Sequence, residues 1–222
     1  MPGRPEPLLV HALPCAPNFV GRETELQELR AAWQQDFRGV LALVGLGGAG
    51  KTALAARFVA ELATAAAPPE RLFVWSFYQE PDAGLFLERA YQYFAGQSAG
   101  AQPAKGAGLL HLLRDALADG GPHWLILDGL ERVQCQENTS TERYGQIEDP
   151  LLKSLLTRIA EGMGRTVALV TSRFPLTDLR AVQGQGYRQV DIGGLEPSAA
   201  LALLRQRGVK GNDDALSGLV ER

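Results

Sequence analysis

Short apolar runs alternate with segments of helical periodicity along most of the 222-residue chain. The apolar runs are rich in β-branched, aliphatic and aromatic residues and predict buried strands. They cover 39–45, 71–78, 123–133, 166–175 and 187–192. Apolar positions spaced for a helix lie between them, over 22–33, 51–65, 83–94, 109–118, 150–161 and 196–208. This alternation predicts right-handed crossovers and a mostly parallel α/β sheet with helices on both faces.

A glycine-rich loop follows the first strand and opens into a helix. The stretch "GLGGAGKT" at 45–52 fits the phosphate-binding pattern G-x-x-x-x-G-K-[ST] at every fixed position. Glycines let backbone N–H groups approach phosphate oxygens, and the helix adds its positive N-terminal end. The predicted nucleotide-binding residues are Gly45, Gly47, Gly48, Ala49, Gly50, Lys51, Thr52 and Ala53. Lys51 supplies a charge for the β- and γ-phosphates, which makes it a candidate catalytic residue as well, and Thr52 offers a hydroxyl to Mg²⁺.

The apolar run "WLIL" ends in Asp128, where an open α/β sheet binds ligands. We expect Asp128 to hold the metal together with Thr52, which makes it a candidate catalytic residue as well. An aspartate that merely caps the strand end is the alternative. Glu131 is a candidate general base for an attacking water. It is equally compatible with a surface acid paired with Arg132.

A second charged residue follows the apolar run at 166–175. If this strand lies between the loop strand and the acid strand, Arg173 projects toward the γ-phosphate. A guanidinium there distinguishes triphosphate from diphosphate by a bidentate contact, which makes Arg173 a candidate catalytic residue. The alternative is a solvated arginine at a strand end.

Composition narrows the function classes. A hydrophobic fraction of 45% and a charged fraction of 21% are those of an ordinary globular protein. The net charge of −3 gives no electrostatic indication of a nucleic-acid partner, although it is compatible with a local basic groove. No apolar run is long enough to span a membrane or act as a signal peptide. We therefore expect a cytoplasmic protein.

Four stretches together carry a family resemblance. "NFVGRETEL" precedes the phosphate loop, and "LILDGLERV", "ALVTSR" and "IGGLEPSAALALL" follow it in that order. In order and spacing they resemble the nucleotide-binding core of STAND NTPases, the signal-transduction class that includes NB-ARC and NACHT proteins. The resemblance runs from about Asn18 to the C-terminus.

The resemblance implies a P-loop NTPase fold of the ASCE type, a three-layer αβα sandwich with five strands in the order 5-1-4-3-2. It also implies ATP or ADP with Mg²⁺ as ligand, and self-association through this domain in a longer parent protein. Val20 and Arg22 become candidate adenine contacts. The alternative for "VGR" is a glycine turn that caps the first helix.

Two departures from the family pattern qualify this inference. Asp128 is followed by Gly129 and later Glu131, which is closer to the NACHT-like pattern than to the paired acids of NB-ARC proteins. By comparison with the family pattern, we expect the helical lid to be incomplete within these 222 residues and the winged-helix domain to lie outside them. We thus divide the chain into a proline-rich linker (1–18), a nucleotide-binding domain (19–192) and the beginning of a lid (193–222), and expect a fragment.

The function expected from these features is a nucleotide-gated switch with slow ATP hydrolysis. The first rival is an AAA+-like ATPase that does repeated remodelling work, although such proteins usually place an acid at the position of Gly129. A small-molecule kinase is the second rival, and a binding scaffold with little hydrolysis is the third.

Overall fold

The computed structural model describes residues 6–14, 19–96, 105–136, 143–212, 216 and 218. Its strands are β1 (Leu8–Leu9), β2 (Gly39–Val44), β3 (Arg71–Ser76), β4 (His123–Asp128), β5 (Thr166–Ser172) and β6 (Tyr187–Asp191). Its helices are α1 (Glu23–Gln34), α2 (Lys51–Thr64), α3 (Ala83–Phe94), α4 (Ala107–Ala118), α5 (Pro150–Ala160) and α6 (Pro197–Gln206). Short 3₁₀ helices cover Leu130–Val133 and Thr177–Val182. The C-terminal end of the predicted lid, residues 213–222, lies largely outside the described residues.

All strands pair in parallel in one sheet of order β1-β3-β4-β5-β2-β6. The predicted strands are β2 to β6, and they lie in the expected order 5-1-4-3-2. The P-loop NTPase fold class is thereby confirmed. The expected number of strands is wrong, because β1 adds a sixth strand at the edge beside β3.

The additional strand comes from the segment that we assigned to the linker. Leu8 and Leu9 pair with Phe73 and Val74. Pro7 precedes this strand and Pro14 follows it, and a proline has no backbone N–H group to donate. Prolines are tolerated at a sheet edge, because one side of an edge strand needs no hydrogen-bond partner. The division of the chain at residues 18 and 192 stays a prediction.

Helices cover both faces of the sheet and form two separate cores. Alternate side chains of the central strands point to opposite faces, as in β2, where Val40 and Ala42 belong to one core and Leu41 and Leu43 to the other. Helices α3, α4 and α5 pack on the first face, and α1 and α2 pack on the second. The central strands are buried on both faces, which explains their continuous apolar runs.

Two helices begin with an aspartate cap and α2 does not. The Asp82 carboxylate accepts from the Leu85 N–H at 3.0 Å, and the Asp149 carboxylate accepts from the N–H groups of Leu151 and Leu152. Helix α2 instead follows Gly50, whose φ is +91° and which offers no side chain to the first turn. The N–H groups at the start of α2 are therefore left for another acceptor.

Helix α6 differs from the other helices in its burial. It contains several alanines and leucines, yet none of its residues is fully buried. It packs beside Gly21, where an added Cβ would lie 2.9 Å from the Cβ of Ala199. None of the described helices combines the length and the apolar character needed to cross a membrane.

Candidate functional site

The ends of the parallel strands bring the predicted site residues to one edge of the sheet. Val44 is aligned with Ser172, and Ser76 is aligned with Asp128. The phosphate loop leaves β2 at this edge, with Gly45 so close to the end of β6 that an added Cβ would lie 2.2 Å from the carbonyl oxygen of Ile192. No larger residue fits there without displacing the backbone.

The Lys51 ammonium is held inside its own loop. It donates to the carbonyl oxygens of Gly45 at 2.7 Å and Leu46 at 2.9 Å, and the residue is buried. Burial lowers the pKa of Lys51, Arg173 adds to this effect, and the carboxylates of Glu131 and Asp128 oppose it. A phosphate group beside this ammonium would favour its charged form, as an anion does for any buried cation.

Asp128 accepts hydrogen bonds from hydroxyl groups on three neighbouring elements. Its Oδ1 accepts from the hydroxyls of Thr52 and Thr171, both at 2.7 Å, and its Oδ2 accepts from Ser76 at 3.3 Å. The side chain is 2% exposed, so these contacts replace most of its hydration. The predicted Thr52–Asp128 pair is thus brought together.

This pair suits a magnesium ion by its chemistry. A hydroxyl and a carboxylate are hard oxygen donors, and Mg²⁺ is usually held by one or two protein ligands together with phosphates and water. Among the described residues no group of three or more His, Cys, Asp or Glu side chains is arranged to bind a metal. A metal that depends on bound phosphates is compatible with that finding, and the metal assignment stays a prediction.

Glu131 and Arg173 meet beside the phosphate loop. The Arg173 Nε lies 3.1 Å from Glu131 Oε1, and an added Cβ at Gly47 would lie 3.3 Å from the Arg173 guanidinium. Strand β5 lies between β2 and β4, which is the condition on which the placement of Arg173 depended. Glu131 is buried and pairs with Arg173, so the alternative of a surface acid paired with Arg132 is wrong.

Tyr78 completes this cluster and was not among the predicted site residues. Its hydroxyl donates to Glu131 Oε1, the same oxygen that Arg173 contacts. Tyr78 is 47% exposed, but partial burial of its phenol and the hydrogen bond to Glu131 raise the pKa of Tyr78 to about 12. Glu131 Oε2 is buried and has no hydrogen-bond partner.

The Tyr78 ring also explains the glycine after Asp128. Gly129 has a φ of +74°, and an added Cβ would lie 2.5 Å from the Tyr78 ring carbon Cδ2. A side chain at position 129 would strain the backbone and would also require the ring to move.

A cavity of about 730 Å³ adjoins the loop. The size lies in the range of small-molecule sites. Besides the phosphate loop, two segments line the cavity: the segment before α1, and the segment from the end of β6 to the end of α6. Their lining residues are Phe19, Val20, Arg22, Ile192, Gly193, Gly194, Leu195, Ala200, Leu203, Leu204 and Arg207. Loop residues Leu46, Gly47, Gly48, Ala49, Gly50 and Ala53 form the remaining wall.

Arg22 connects the parts of this wall. Its guanidinium donates to the carbonyl oxygens of Ala49 at 3.0 Å, Gly193 at 2.5 Å and Gly194 at 3.2 Å. Its backbone adopts a φ of +71° directly before α1. These contacts join the phosphate loop to the segment before α6, and a direct contact of Val20 or Arg22 with adenine stays a prediction.

The contributions of Tyr78, Ser76 and Thr171 were missed in the sequence. Strands β3 and β5 flank β4, which ends at Asp128. Ser76 and Thr171 lie at the carboxyl ends of β3 and β5, and Tyr78 lies just beyond the end of β3. Their position at the carboxyl ends of the predicted strands was the sequence feature that could have identified them as site residues. We assigned residues 71–78 to one strand, whereas β3 ends at Ser76 and Tyr78 lies in the following turn.

No protein-family model matches the chain, and no curated protein sequence matches it. Solved structures do match in fold. One is a Signal Transduction ATPase with Numerous Domains (STAND) protein with a tetratricopeptide repeat sensor from Pyrococcus horikoshii, at a TM-score of 0.56 and 19% identity. Another is the Aeropyrum pernix ORC1 protein in complex with DNA, at a TM-score of 0.58 and 16% identity.

These matches cover 95% and 88% of this chain but 28% and 50% of the respective neighbours, so the chain spans half or less of their length. They establish the shared P-loop ATPase fold.

Proposed function

We propose that this chain is the nucleotide-binding switch module of a STAND-class NTPase, with ATP and ADP as ligands and Mg²⁺ as cofactor. The observation that carries the proposal is the convergence of Lys51, Thr52, Asp128, Glu131 and Arg173 on one phosphate loop, next to a cavity of about 730 Å³. The cavity extends from the loop to α6, the first helix of the proposed lid.

Each of these residues has a role in the proposed site. Lys51 and the free N–H groups of α2 bind phosphate oxygens. Thr52 and Asp128 would hold Mg²⁺, which supplies positive charge to the phosphates when it is bound. Glu131 accepts a proton from the attacking water, and Arg173 contacts the γ-phosphate.

The proposed reaction is slow hydrolysis. The water oxygen forms a bond to the γ-phosphorus, the bond from that phosphorus to the bridging oxygen breaks, and ADP leaves with the bridging oxygen. The water proton passes to Glu131. Loss of the γ-phosphate removes the anion that competes with Glu131 for Arg173, and this change would bias α6 between two positions.

Self-association under nucleotide control in a longer parent protein and a cytoplasmic location are part of the same proposal. The STAND protein from Pyrococcus horikoshii supports the class, and the four sequence stretches quoted above support it independently. The absence of a nucleic-acid partner stays a prediction based on the net charge of −3.

The alternative is an AAA+-like ATPase, which the fold match to the ORC1 protein favours. The geometry at position 129 argues against it, because the acid that usually follows the metal-binding aspartate in such proteins would strain the backbone there and would have to displace the Tyr78 ring. Repeated remodelling work would require fast turnover, whereas a switch requires slow turnover.

A binding and turnover experiment tests the proposal. ATP and ADP are titrated into the wild-type chain and into Lys51→Ala, with and without Mg²⁺, and phosphate release is measured on the same samples. We expect tight binding that Lys51→Ala weakens by at least about tenfold, and turnover well below the enzyme median of about 10 per second. Equal affinity of the two proteins would refute nucleotide binding at this loop, and rapid turnover would favour the AAA+-like alternative.

A further inference from the structure

Glu131 is held by two groups on one of its oxygens and by none on the other. Oε1 accepts from the Tyr78 hydroxyl and contacts the Arg173 Nε at 3.1 Å. Oε2 is buried without a partner. A buried carboxylate oxygen without a hydrogen bond is costly, which marks Oε2 as a position where a further donor belongs.

Backbone hydrogen bonds hold the turn that carries Tyr78, and the residue itself is 47% exposed. The turn that carries it is closed by hydrogen bonds from the N–H groups of Gln79 and Glu80 to the Ser76 carbonyl, both at 3.1 Å. The Phe77 N–H donates to the Asp128 carbonyl at 2.8 Å, which ties the turn to the strand that carries the metal-site residue. The ring lies against Gly129, where no side chain keeps it away.

We propose that Tyr78 is a positioning residue for Glu131: its phenol occupies Oε1 and thereby leaves Oε2 as the oxygen that accepts the proton of the attacking water. This inference rests on the proposed function, since it requires that Glu131 acts as the base. The phenol keeps its proton at working pH and remains a donor, as an ordinary tyrosine does, and its environment raises its pKa further, to about 12.

Arg173 alone does not fix the carboxylate in the same way. Arg173 and Tyr78 are exposed to a similar extent, at 51% for the arginine side chain and 47% for the tyrosine. The difference is that in the proposed cycle the guanidinium turns to the γ-phosphate when ATP is bound. Tyr78 is then the remaining group that holds Oε1. The loss of the phenol should accordingly be felt most when ATP is in the site.

The test uses Tyr78→Phe, which keeps the ring over Gly129 and removes only the hydroxyl. The rate constant for hydrolysis of bound ATP is measured in single-turnover experiments with protein in excess and Mg²⁺ present. We expect about a tenfold decrease, the effect of losing one hydrogen bond to a charged group, with the Kd for ATP unchanged within about twofold. Thermal unfolding of the same variant checks that it is folded.

Tyr93→Phe is the matched control. The Tyr93 hydroxyl accepts from the Leu72 N–H at 3.1 Å and donates to the Glu6 carbonyl at 3.1 Å, at the other end of β3. It should leave the hydrolysis rate unchanged. A second comparison uses Glu131→Gln, in which Tyr78→Phe should cause no further loss because the base is already gone.

The outcomes separate this inference from the proposed function. If the wild type binds ATP but does not hydrolyse it, hydrolysis is refuted and the positioning role with it. If the wild type hydrolyses ATP and Tyr78→Phe is equally fast or faster, only the positioning role is overturned. A tenfold loss that persists in the Glu131→Gln background would also overturn it, because the phenol would then act on something other than Glu131.

Discussion

Substitution of Gly129 by alanine tests the packing on which the site depends. Two separate costs are expected. The first is the positive φ of +74°, which costs a residue with a Cβ about 1–2 kcal/mol. The second is the contact of 2.5 Å with Tyr78 Cδ2, which requires a ring shift of about 1 Å to restore normal separation. That shift costs roughly 1–2 kcal/mol, so the free energy of unfolding should fall by about 2–4 kcal/mol in total.

Gly162→Ala is the matched control for the backbone cost alone. Gly162 has a φ of +93°, and an added Cβ there meets nothing within 4 Å. It should lower the free energy of unfolding by about 1–2 kcal/mol in urea titrations. The difference between the two variants then measures the clash with the ring.

A double variant isolates the clash further. When Tyr78→Ala is combined with Gly129→Ala, the ring is absent and its share of the cost, roughly 1–2 kcal/mol, should be recovered as a coupling energy. If Gly129→Ala and Gly162→Ala destabilise equally, or if the coupling energy is near zero, the ring does not determine the residue at position 129. The exclusion of an acid at that position would then lose its basis.

Three further predictions address other parts of the chain. Arg173→Ala should weaken binding of ATP by about tenfold while ADP binding changes little, since only ATP carries the γ-phosphate; equal losses in calorimetric titrations would contradict this. Arg22→Gly relieves the strain of the positive φ but removes hydrogen bonds to three carbonyl groups. The free energy of unfolding measured in urea should therefore fall by about 2 kcal/mol, and a rise would refute the role of Arg22 in joining these segments. Burial lowers the pKa of His123 and of His11 below the ordinary 6.5, so the unfolded chain binds more protons and stability should fall as pH drops below about 6.5. Unfolding between pH 8 and 5 checks this, and His123→Phe should show a shallower loss than the wild type.

The five predicted strands begin where β2 to β6 begin, because central parallel strands are buried on both faces and carry a continuous apolar signal. The predicted runs at 123–133 and 166–175 extend past the ends of β4 and β5, because apolar residues continue beyond the strand ends. The two-residue strand β1 carries no such signal, since a periodicity cannot be recognised over Leu8 and Leu9. Its pairing with β3 depends on a free sheet edge, which exists only in the assembled fold.

The phosphate loop and Asp128 were predictable because one local motif and one strand end define them. Tyr78 was not, because its contact with Glu131 depends on the register that aligns Ser76 with Asp128. The bracing role of Arg22 depends in the same way on a left-handed backbone and on carbonyl groups far along the chain. Contacts of this kind are set by tertiary packing, which the local pattern does not encode.

The close approach of the Tyr78 ring to Gly129 implies that two positions far apart in the sequence change together in evolution. A chain that gains a side chain at position 129 must also lose or move the aromatic ring at position 78, whereas either change alone is strained or leaves a gap. Related sequences should therefore fall into two groups, one with glycine and an aromatic residue at these positions and one with neither. The residues at positions 78 and 129 would then divide P-loop sequences into those that hold the general base through an aromatic hydroxyl and those that do not.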